Sequence, residues 1–365
     1  MRFISGDKIF ITLLLCLAFA GLAIFSSAAL GLLARESSSV SKDILLQGGL
    51  GLGFGFVALI AARALPFSFL KRAAPYLYGA TLALTSLVFI PGIGFSAGGA
   101  TRWIDLGFTT LQPAEFLKIG LVIMVAWWLA PRARHLADPK KGLIPLIGIL
   151  ALPSALLIVQ PNTSTTLLLI ITAAAMYFAA GAPWRNFGIL LVCGMLAFGA
   201  IVAVRPYVLD RVKTYLDPSA NALTSGYQIQ QSLLAIGSGG LFGRGFGQGV
   251  EKFNYLPEPN GDSVFAVFAE EAGFVGALLL VGLFLGFAAR GIVIAGHSQD
   301  LFGALLAFGF SFLIIVQAFI NIGAMLGMIP LTGLPLPFIS HGGTALVATL
   351  IMCGLILNVA AHRRQ

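Results

Sequence analysis

Charged residues and cysteines are scarce in this sequence. Only 10% of its 365 residues are Asp, Glu, Lys or Arg, and 58% are hydrophobic. A soluble protein of this size could not bury that much apolar surface, so the composition excludes a soluble globular fold and indicates a polytopic membrane protein. The three cysteines, Cys16, Cys193 and Cys353, lie within apolar runs without metal-ligand spacing, so we expect neither disulfides nor a metal site from them.

Nucleotide-binding fingerprints are also missing. The sequence contains no P-loop, and the glycine-rich stretch GRGFGQG at 243–249 follows no predicted strand, which excludes a dinucleotide-binding turn. The formal net charge of +8 is explained mostly by Lys and Arg residues that set the orientation of the chain in the membrane. We therefore expect no nucleic-acid partner.

Long apolar runs, in contrast, recur throughout the chain. About 20 apolar residues cross a bilayer as a helix, and the sequence offers ten such runs at 9–33, 44–64, 73–91, 113–130, 143–160, 164–182, 187–204, 264–289, 300–325 and 338–361. They predict an all-α integral membrane protein, a bundle of about ten transmembrane helices that forms a single domain over 1–365. The first run is too long for a signal-peptide core and is expected to be a retained signal anchor.

Two connections between these runs are long, 92–112 and 205–263, and we expect them to hold the chemistry. Lys and Arg concentrate on the cytoplasmic side of membrane proteins. With the N-terminus inside, thirteen of the 22 basic residues are cytoplasmic and eight are outside, namely Arg35, Lys42, Arg102, Arg205, Arg211, Lys213, Arg244 and Lys252. Both termini are therefore predicted to be cytoplasmic and both long connections extracytoplasmic.

Glu115 and Lys118 are charged residues near the start of the fourth run. Residues three apart share one helix face, and a charge inside a bilayer costs about 2.5–3.5 kcal/mol on insertion scales. We therefore expect the two side chains to pair and to face the bundle interior. Two interpretations stay open: a structural ion pair, or the polar wall of a cavity in which Lys118 binds an anionic headgroup.

Further polar residues cluster near the predicted outer surface. Arg102 lies beside Trp103 in the first long connection. It is either an anchor at the membrane interface or a guanidinium fork suited to binding phosphate. The stretch VQPNTSTT at 159–166, which contains Gln160 and Asn162, interrupts the apolar pattern. Irregular backbone at membrane depth is tolerated only where it is buried in protein or lines a cavity, so this stretch predicts a wet cleft on the outer side.

Four acids surround the start of the eighth run, in YLPEPNGDSVFAVFAEEAGFVG at 255–276. Asp262 lies where the loop becomes helix, Glu258 lies in the loop, and Glu270 and Glu271 lie in the helix. Like-charge repulsion can raise a carboxyl pKa into the range of a general base. The residues alone divide that role equally between Asp262 and the glutamates, and Asp262 is also a candidate N-cap for the helix.

Four segments carry a family pattern: GGATRWIDLGFTTLQPAEFLK, SGYQIQQSLLAIGSGGLFGRGFGQG, the 255–276 stretch quoted above, and PLTGLPLPFISHGGTALVATL. In order and spacing they resemble the signature segments of the SEDS family (shape, elongation, division and sporulation). The resemblance covers nearly the whole chain. It implies a peptidoglycan glycosyltransferase that polymerises lipid II at the outer face of the bacterial plasma membrane.

The resemblance also assigns site residues. It implies that Asp262 is the catalytic base, and the residues expected to contact substrate are Arg102, Gln112, Glu115, Lys118, Gln160, Asn162 and Arg244. The chain departs from the family pattern at three positions, where Ala114, Asn162 and His341 stand in place of the usual Ser, Asp and Tyr. At position 162 the amide keeps hydrogen-bonding capacity but loses the charge.

The implied partners are lipid II, a class B penicillin-binding protein that supplies transpeptidation, other division proteins and membrane lipid. The pattern is closer to the division-type, FtsW-like branch, which predicts a role at the division septum. An elongation-type, RodA-like polymerase, a lipid II flippase and a non-catalytic division scaffold are the alternative hypotheses. The sequence leaves the cofactor open, although a divalent cation such as Mg²⁺ or Mn²⁺ is compatible with diphosphate chemistry.

Overall fold

The structure, a computed structural model, describes residues 7–31, 46–97, 100–107, 109–204, 206–217 and 225–362. Some residues used in the sequence analysis lie outside this description, namely Arg2, Arg35, Lys42, Arg205, Arg363, Arg364 and the side chain of Cys193. The described residues form thirteen α-helices and one three-stranded antiparallel sheet.

The helices account for most of the described chain. In order they are α1 Lys8–Leu30, α2 Gly55–Ala64, α3 Phe67–Ser86, α4 Pro113–Leu129, α5 Leu143–Val159, α6 Thr163–Ala179, α7 Trp184–Val204, α8 Pro206–Leu216, α9 Ser225–Ser238, α10 Glu251–Asn254, α11 Val264–Gly296, α12 Leu301–Met325 and α13 Gly343–Ala361. A π-helical segment, Leu46–Phe54, leads into α2, and short 3₁₀ turns extend α3 and α4. The predicted all-α class is confirmed.

Six helical stretches among the described residues are long and apolar enough to cross a membrane: Lys8–Leu30, Gln47–Ala64, Pro113–His135, Val264–Gly296, Leu301–Met325 and Gly343–Ala361. The other four predicted runs correspond to α3, α5, α6 and α7, which contain 20, 17, 17 and 21 residues. The count of ten spans stays a prediction.

Local signals explain where several helices begin. Asp7 caps α1 by accepting from the Phe10 amide, and Asp300 caps α12 by accepting from the Gly303 amide. Pro113 opens α4 at a first-turn position, where its missing N–H is not needed. The last predicted run was placed too early, because the backbone before Gly343 is not helical.

Ion pairs near the two ends of the bundle connect helix α1 to other elements. Arg290, one of the basic residues counted as cytoplasmic, pairs with Asp7 at 2.6 Å. At the other end, Lys252 Nζ lies 2.5 Å from Glu271 Oε1, and Ser27 near the end of α1 donates to the same carboxylate. Helix α1 therefore runs from one charged layer to the other.

The two long connections that were predicted to be extracytoplasmic are folded. The first forms the sheet, with strands β1 Gly94–Ala97, β2 Ala100–Asp105 and β3 Thr110–Leu111 in the order β1-β2-β3. The sheet sits immediately before α4 in sequence, and its central strand carries Arg102. The second connection contains α8, α9 and α10, of which α8 carries Arg211.

Helix α11 is broken at Gly273, which has φ 67° and ψ −170°. The glycine-rich loop after α9 supplies the missing hydrogen bonds: Gly240 and Leu241 carbonyls accept from the amides of Phe274 and Val275. The approach is so close that a Cβ at Gly243 would lie 2.1 Å from a backbone oxygen of α11. This close contact explains why the loop after α9 is rich in glycine, and it attaches that loop to α11.

Candidate active site

Asp262 lies in the turn that leads into α11, with its side chain partly exposed. The three carbonyl oxygens at 260–262 all accept hydrogen bonds: from the His341 amide at 2.7 Å, from Ser340 Oγ at 2.8 Å and from Asn321 Nδ2 at 2.9 Å. The donors belong to α12 and to the segment 326–342 between α12 and α13. Because its backbone is held at three consecutive residues, the Asp262 carboxylate is presented from a fixed turn.

The alternative that Asp262 caps α11 is wrong. The N-cap position is occupied by Ser263. The Ser263 hydroxyl makes no cap hydrogen bond and instead accepts from Gln228 Nε2 at 3.0 Å. The Asp262 carboxylate is therefore not used to begin the helix.

Two arginines from different elements converge near Asp262. Arg102, on β2, donates from Nε to the Gln160 carbonyl at 3.3 Å and from Nη2 to the Pro161 carbonyl. Arg211, on α8, donates from Nη1 to the Thr332 carbonyl at 3.1 Å. Neutral backbone carbonyls hold both guanidinium groups in place, so these hydrogen bonds leave the positive charges uncompensated.

Electrostatic interactions connect these groups. Burial, and to a smaller extent the charge of Glu258, raise the pKa of Asp262, whereas Arg211 and Arg102 lower it, and the net result is a pKa of about 6. None of the five ion pairs among the described residues includes Asp262. A carboxylate with a pKa near 6 that is close to cations but not paired with one is suited to accept a proton at neutral pH.

The arginines are themselves desolvated. Burial lowers the pKa of Arg102, and the neighbouring charge of Arg211 lowers it further. Burial also lowers the pKa of Arg211. Tyr207 faces this pair, with its ring centroid 6.0 Å from Arg211 Cζ and its buried hydroxyl lacking a hydrogen-bond partner among the described residues. Two close, partly buried cations favour binding of an anion.

The predicted pairing of Glu115 with Lys118 is present. Lys118 is fully buried, and its Nζ donates to Glu115 Oε1 at 2.7 Å and to Gln317 Oε1 at 2.9 Å. Gln317 in turn donates to the Pro335 carbonyl at 2.8 Å. In this conformation the pair faces the bundle interior and connects α4 through α12 to the segment 326–342. A direct contact of Lys118 with a headgroup stays a prediction.

The remaining predicted residues lie in three places. Gln160 donates to the Thr85 carbonyl at 2.9 Å, and the buried Asn162 precedes α6, where its Nδ2 has no partner within the described residues. Gln112 lines a mainly apolar cavity of about 480 Å³. Arg244 pairs with Glu270, at 3.4 Å, rather than with Asp262.

Three other acids competed with Asp262 in the sequence analysis, and two of them have structural partners. Glu270 is fully buried and accepts from the Val250 amide at 2.8 Å, in addition to its pair with Arg244. Glu271 is held by Lys252 and Ser27. Glu258 remains near Asp262 and acts on its pKa. The geometry therefore favours Asp262 as the titrating group.

Arg211 is the site residue that sequence reasoning did not select. It was counted only as one of the outer basic residues. The available signal was its position on a short amphipathic stretch, PYVLDRVKTYL, which mixes apolar and charged residues at helical spacing within the long connection 205–263. That pattern predicts a surface helix but does not show which of its cations faces the site.

No group of three or more His, Cys, Asp or Glu side chains in the described part of the chain is arranged to hold a metal ion. Asp262 and Glu258 are the acids that meet at the candidate site. Use of a divalent cation stays a prediction.

These features define a membrane protein family. The family model described as "Cell cycle protein", which covers FtsW, RodA and SpoVE, matches residues 7–365. The chain belongs to this family, so the SEDS resemblance found in the sequence is confirmed.

The chain is similar to several named relatives. Stage V sporulation protein E of Bacillus subtilis (strain 168) is 40% identical over 281 residues, which are 77% of each chain. The probable peptidoglycan glycosyltransferase FtsW of Alcanivorax borkumensis is 36% identical over 361 residues, 98% of this chain and 93% of the relative.

Two solved structures share the fold along the full length of both chains. A chain from a peptidoglycan synthase complex, studied for its coordination of polymerization and crosslinking, matches with a TM-score of 0.81 and 29% identity. The rod shape determining protein RodA of Thermus thermophilus matches with a TM-score of 0.72 and 29% identity. The polytopic helical fold described above is thus that of known family members.

Proposed function

We propose that this chain is a peptidoglycan glycosyltransferase that polymerises lipid II, with Asp262 as the general base. The observation that carries the proposal is the Asp262 carboxylate, with a pKa raised to about 6, fixed at a loop–helix junction near two arginines. Above that pKa the carboxylate is mostly ionised, so at neutral pH it can take a proton.

The proposed reaction needs one proton acceptor and positive charge. The acceptor sugar hydroxyl gives its proton to Asp262 while its oxygen bonds to the anomeric carbon of the donor sugar. The bond between that carbon and the diphosphate oxygen breaks, and the diphosphate leaves with the electron pair. Cationic side chains stabilise the departing charge. A diphosphate is a good leaving group, so the acid carboxyl of ordinary glycosidases is not required.

The relatives support this proposal. Several that match the chain are named probable peptidoglycan glycosyltransferase FtsW, and 98% of this chain matches one of them. The structural relative in a peptidoglycan synthase complex supports a partner that crosslinks what this chain polymerises. We infer that this partner is a class B penicillin-binding protein and that the two act with other division proteins at the septum.

The proposed placement puts the site outside the cell and both termini in the cytoplasm. The excess of basic residues on the N-terminal side supports this orientation. Lipid II presents its sugars above the bilayer and its diphosphate at the headgroup layer, so an outer loop that carries Asp262 and Arg102 is suitably located for both.

Polymerisation in detergent micelles tests the function and separates it from the alternatives. Purified protein, with its penicillin-binding partner if needed, is given lipid II, and glycan strands are resolved by gel electrophoresis. Micelles have no two sides, so a flippase or a scaffold yields no strands there. Strands made by the wild type support the polymerase; their absence with the partner present overturns it.

A further inference from the structure

Arg211 is placed to act on the same reacting groups as Asp262. Its helix α8 is attached to the segment 326–342 by two hydrogen bonds, from Arg211 Nη1 to the Thr332 carbonyl at 3.1 Å and from the Tyr215 hydroxyl to the Met328 carbonyl at 3.0 Å. Ser164, at the start of α6, donates to the same Thr332 carbonyl at 2.6 Å. Arg211 is therefore held on the scaffold that also supports Asp262.

Gly333 lies between the two side chains. Its φ is +67°, and a Cβ built there would lie 3.4 Å from Asp262 Oδ2 and 3.7 Å from Arg211 Nη2. A single atom at that point would thus touch the carboxylate and the guanidinium at ordinary contact distance. The absence of a side chain at Gly333 leaves this position open between a base and a cation.

The chemistry of glycosyl transfer fits this arrangement. The attacking hydroxyl would lie about 2.7 Å from the base, and about 3–3.5 Å from the carbon it attacks. The leaving phosphate is on the far side of that carbon, away from the base. A cation for that phosphate must therefore be near the carboxylate without pairing to it, as Arg211 is.

We propose that Arg211 is a substrate-binding residue that holds the diphosphate of the lipid-linked donor, and that the space beside Gly333 receives the reacting sugar atoms between Arg211 and Asp262. This deepens the proposed function and rests on it. Arg102 approaches from β2 and is held by the 160–161 carbonyls, so the two arginines supply positive charge from separate elements.

Ligand binding tests the role of Arg211 without turnover. A fluorescent polyprenyl diphosphate is titrated into wild type, Arg211→Gln, Arg211→Lys and Lys213→Gln in detergent, with phosphatidylglycerol as a competitor. Lys213 is an exposed cation on the same helix, so its variant is the matched control. Loss of a charge-assisted hydrogen bond should weaken binding about 10-fold or more in Arg211→Gln. Lys at 211 should restore part of the affinity, because it keeps the charge but not the fork.

Each outcome of that titration decides the proposal. Unchanged affinity in Arg211→Gln, or an equal loss in Lys213→Gln, overturns it. Equal competition by phosphatidylglycerol would show a general headgroup site and overturn the assignment to substrate. Loss of binding in Arg211→Gln combined with no strand synthesis by the wild type would instead contradict the polymerase function and leave the diphosphate site standing.

A pair of glycine variants tests the space beside Gly333. Gly327 lies in the same segment with the same φ of +67°, but a Cβ there would meet only Leu233 and Ile229, at 3.7 and 3.8 Å. Gly333→Ala and Gly327→Ala therefore both place a Cβ on a residue with the same positive φ, which strains the backbone in each variant. We expect Gly333→Ala to lose at least 10-fold in polymerisation rate and Gly327→Ala to lose much less, at equal thermal midpoints. Equal rates in the two variants would overturn the assignment of this space.

Discussion

The side-chain amide of Asn321 donates to the carbonyl oxygen of Asp262 at 2.9 Å, and it donates to the Leu334 carbonyl at the same distance. One buried side chain of α12 thus joins the turn that carries the proposed base to the segment 326–342. Gln317, one turn earlier, holds the Pro335 carbonyl. Buried side chains on α12 therefore fix the position of Asp262.

Replacing Asn321 should reduce catalysis through position alone. Asn321→Ala leaves the Asp262 and Leu334 carbonyls without their donor, so we expect the polymerisation rate to fall about 10-fold, with KM for lipid II little changed. A matched control is Asn358→Ala on α13, because Asn358 also donates to backbone carbonyls, those of Arg63 and Leu65, away from the site. Both variants should lose about 1–3 kcal/mol of stability. Equal rate losses in the two would contradict a positioning role.

The buried pair of Glu115 and Lys118 should show strong coupling. Lys118→Met leaves an uncompensated carboxylate in the bundle, which is expected to cost about 3–5 kcal/mol, seen as a lower thermal midpoint and less protein in the membrane. The double variant Glu115→Gln with Lys118→Met removes both charges and should recover most of this loss. If the double variant is as unstable as Lys118→Met, the loss of stability does not come from an uncompensated charge on Glu115.

A charge swap separates structure from chemistry at the same pair. With Glu115→Lys and Lys118→Glu, an acid at position 118 would face Gln317 Oε1, which is an acceptor. We therefore expect incomplete recovery of both stability and activity. Full polymerisation by a stable swap variant would show that Lys118 does not serve a diphosphate.

Because the pKa of Asp262 is raised in the folded state, this carboxyl should lower the stability of the protein at pH values above that pKa. The unfolded carboxyl titrates near its ordinary value of 3.8 and the folded one at about 6, so the folded state holds its proton more tightly. Stability is therefore lost as pH rises between these values. Asp262→Asn should raise the thermal midpoint at pH 7.5 but not at pH 4, whereas Asp210→Asn, an exposed acid on α8, should change neither. A midpoint gain that does not depend on pH would contradict the shift.

Cysteine labelling of intact cells tests the orientation. In a variant without the three native cysteines, Tyr255→Cys in the outer loop should react with a membrane-impermeant maleimide, because this side chain is 53% exposed. Arg134→Cys, exposed after α4, should react only after the cells are opened. The reverse pattern would place the site in the cytoplasm, away from the sugars of lipid II.

Periodicity and composition were sufficient to locate most helices. Pro113 and the apolar run after it predicted the start of α4 at the correct residue, and the spacing of Glu115 and Lys118 predicted their contact. Both predictions depend on neighbours within one helix, which sequence distance determines. The family pattern predicted Asp262 as the base, and that role stays a prediction. The structure adds that burial and the nearby Glu258 raise the pKa of this carboxyl.

Features that depend on distant contacts were not predicted. The break at Gly273 was read as continuous helix, because the hydrogen bonds that allow it come from a loop about 30 residues earlier. Arg211 was not distinguished from Lys213 on the same helix, since only the fold decides which of them faces Asp262. The link from Lys118 to Gln317 spans 199 residues of sequence and leaves no local signal.

The most direct test of Asp262 as the base is the rate of glycan synthesis by wild type and Asp262→Asn between pH 5 and 8.5. The amide keeps the volume of the carboxyl but cannot take a proton, so the variant should lose about 10²–10⁴ in rate at neutral pH, at unchanged expression and partner binding. The wild-type rate should rise with pH through about 6, where Asp262 ionises, and Asp210→Asn should follow the wild type. An Asp262→Asn rate within a few-fold of the wild type would contradict the assignment and direct attention to Glu258.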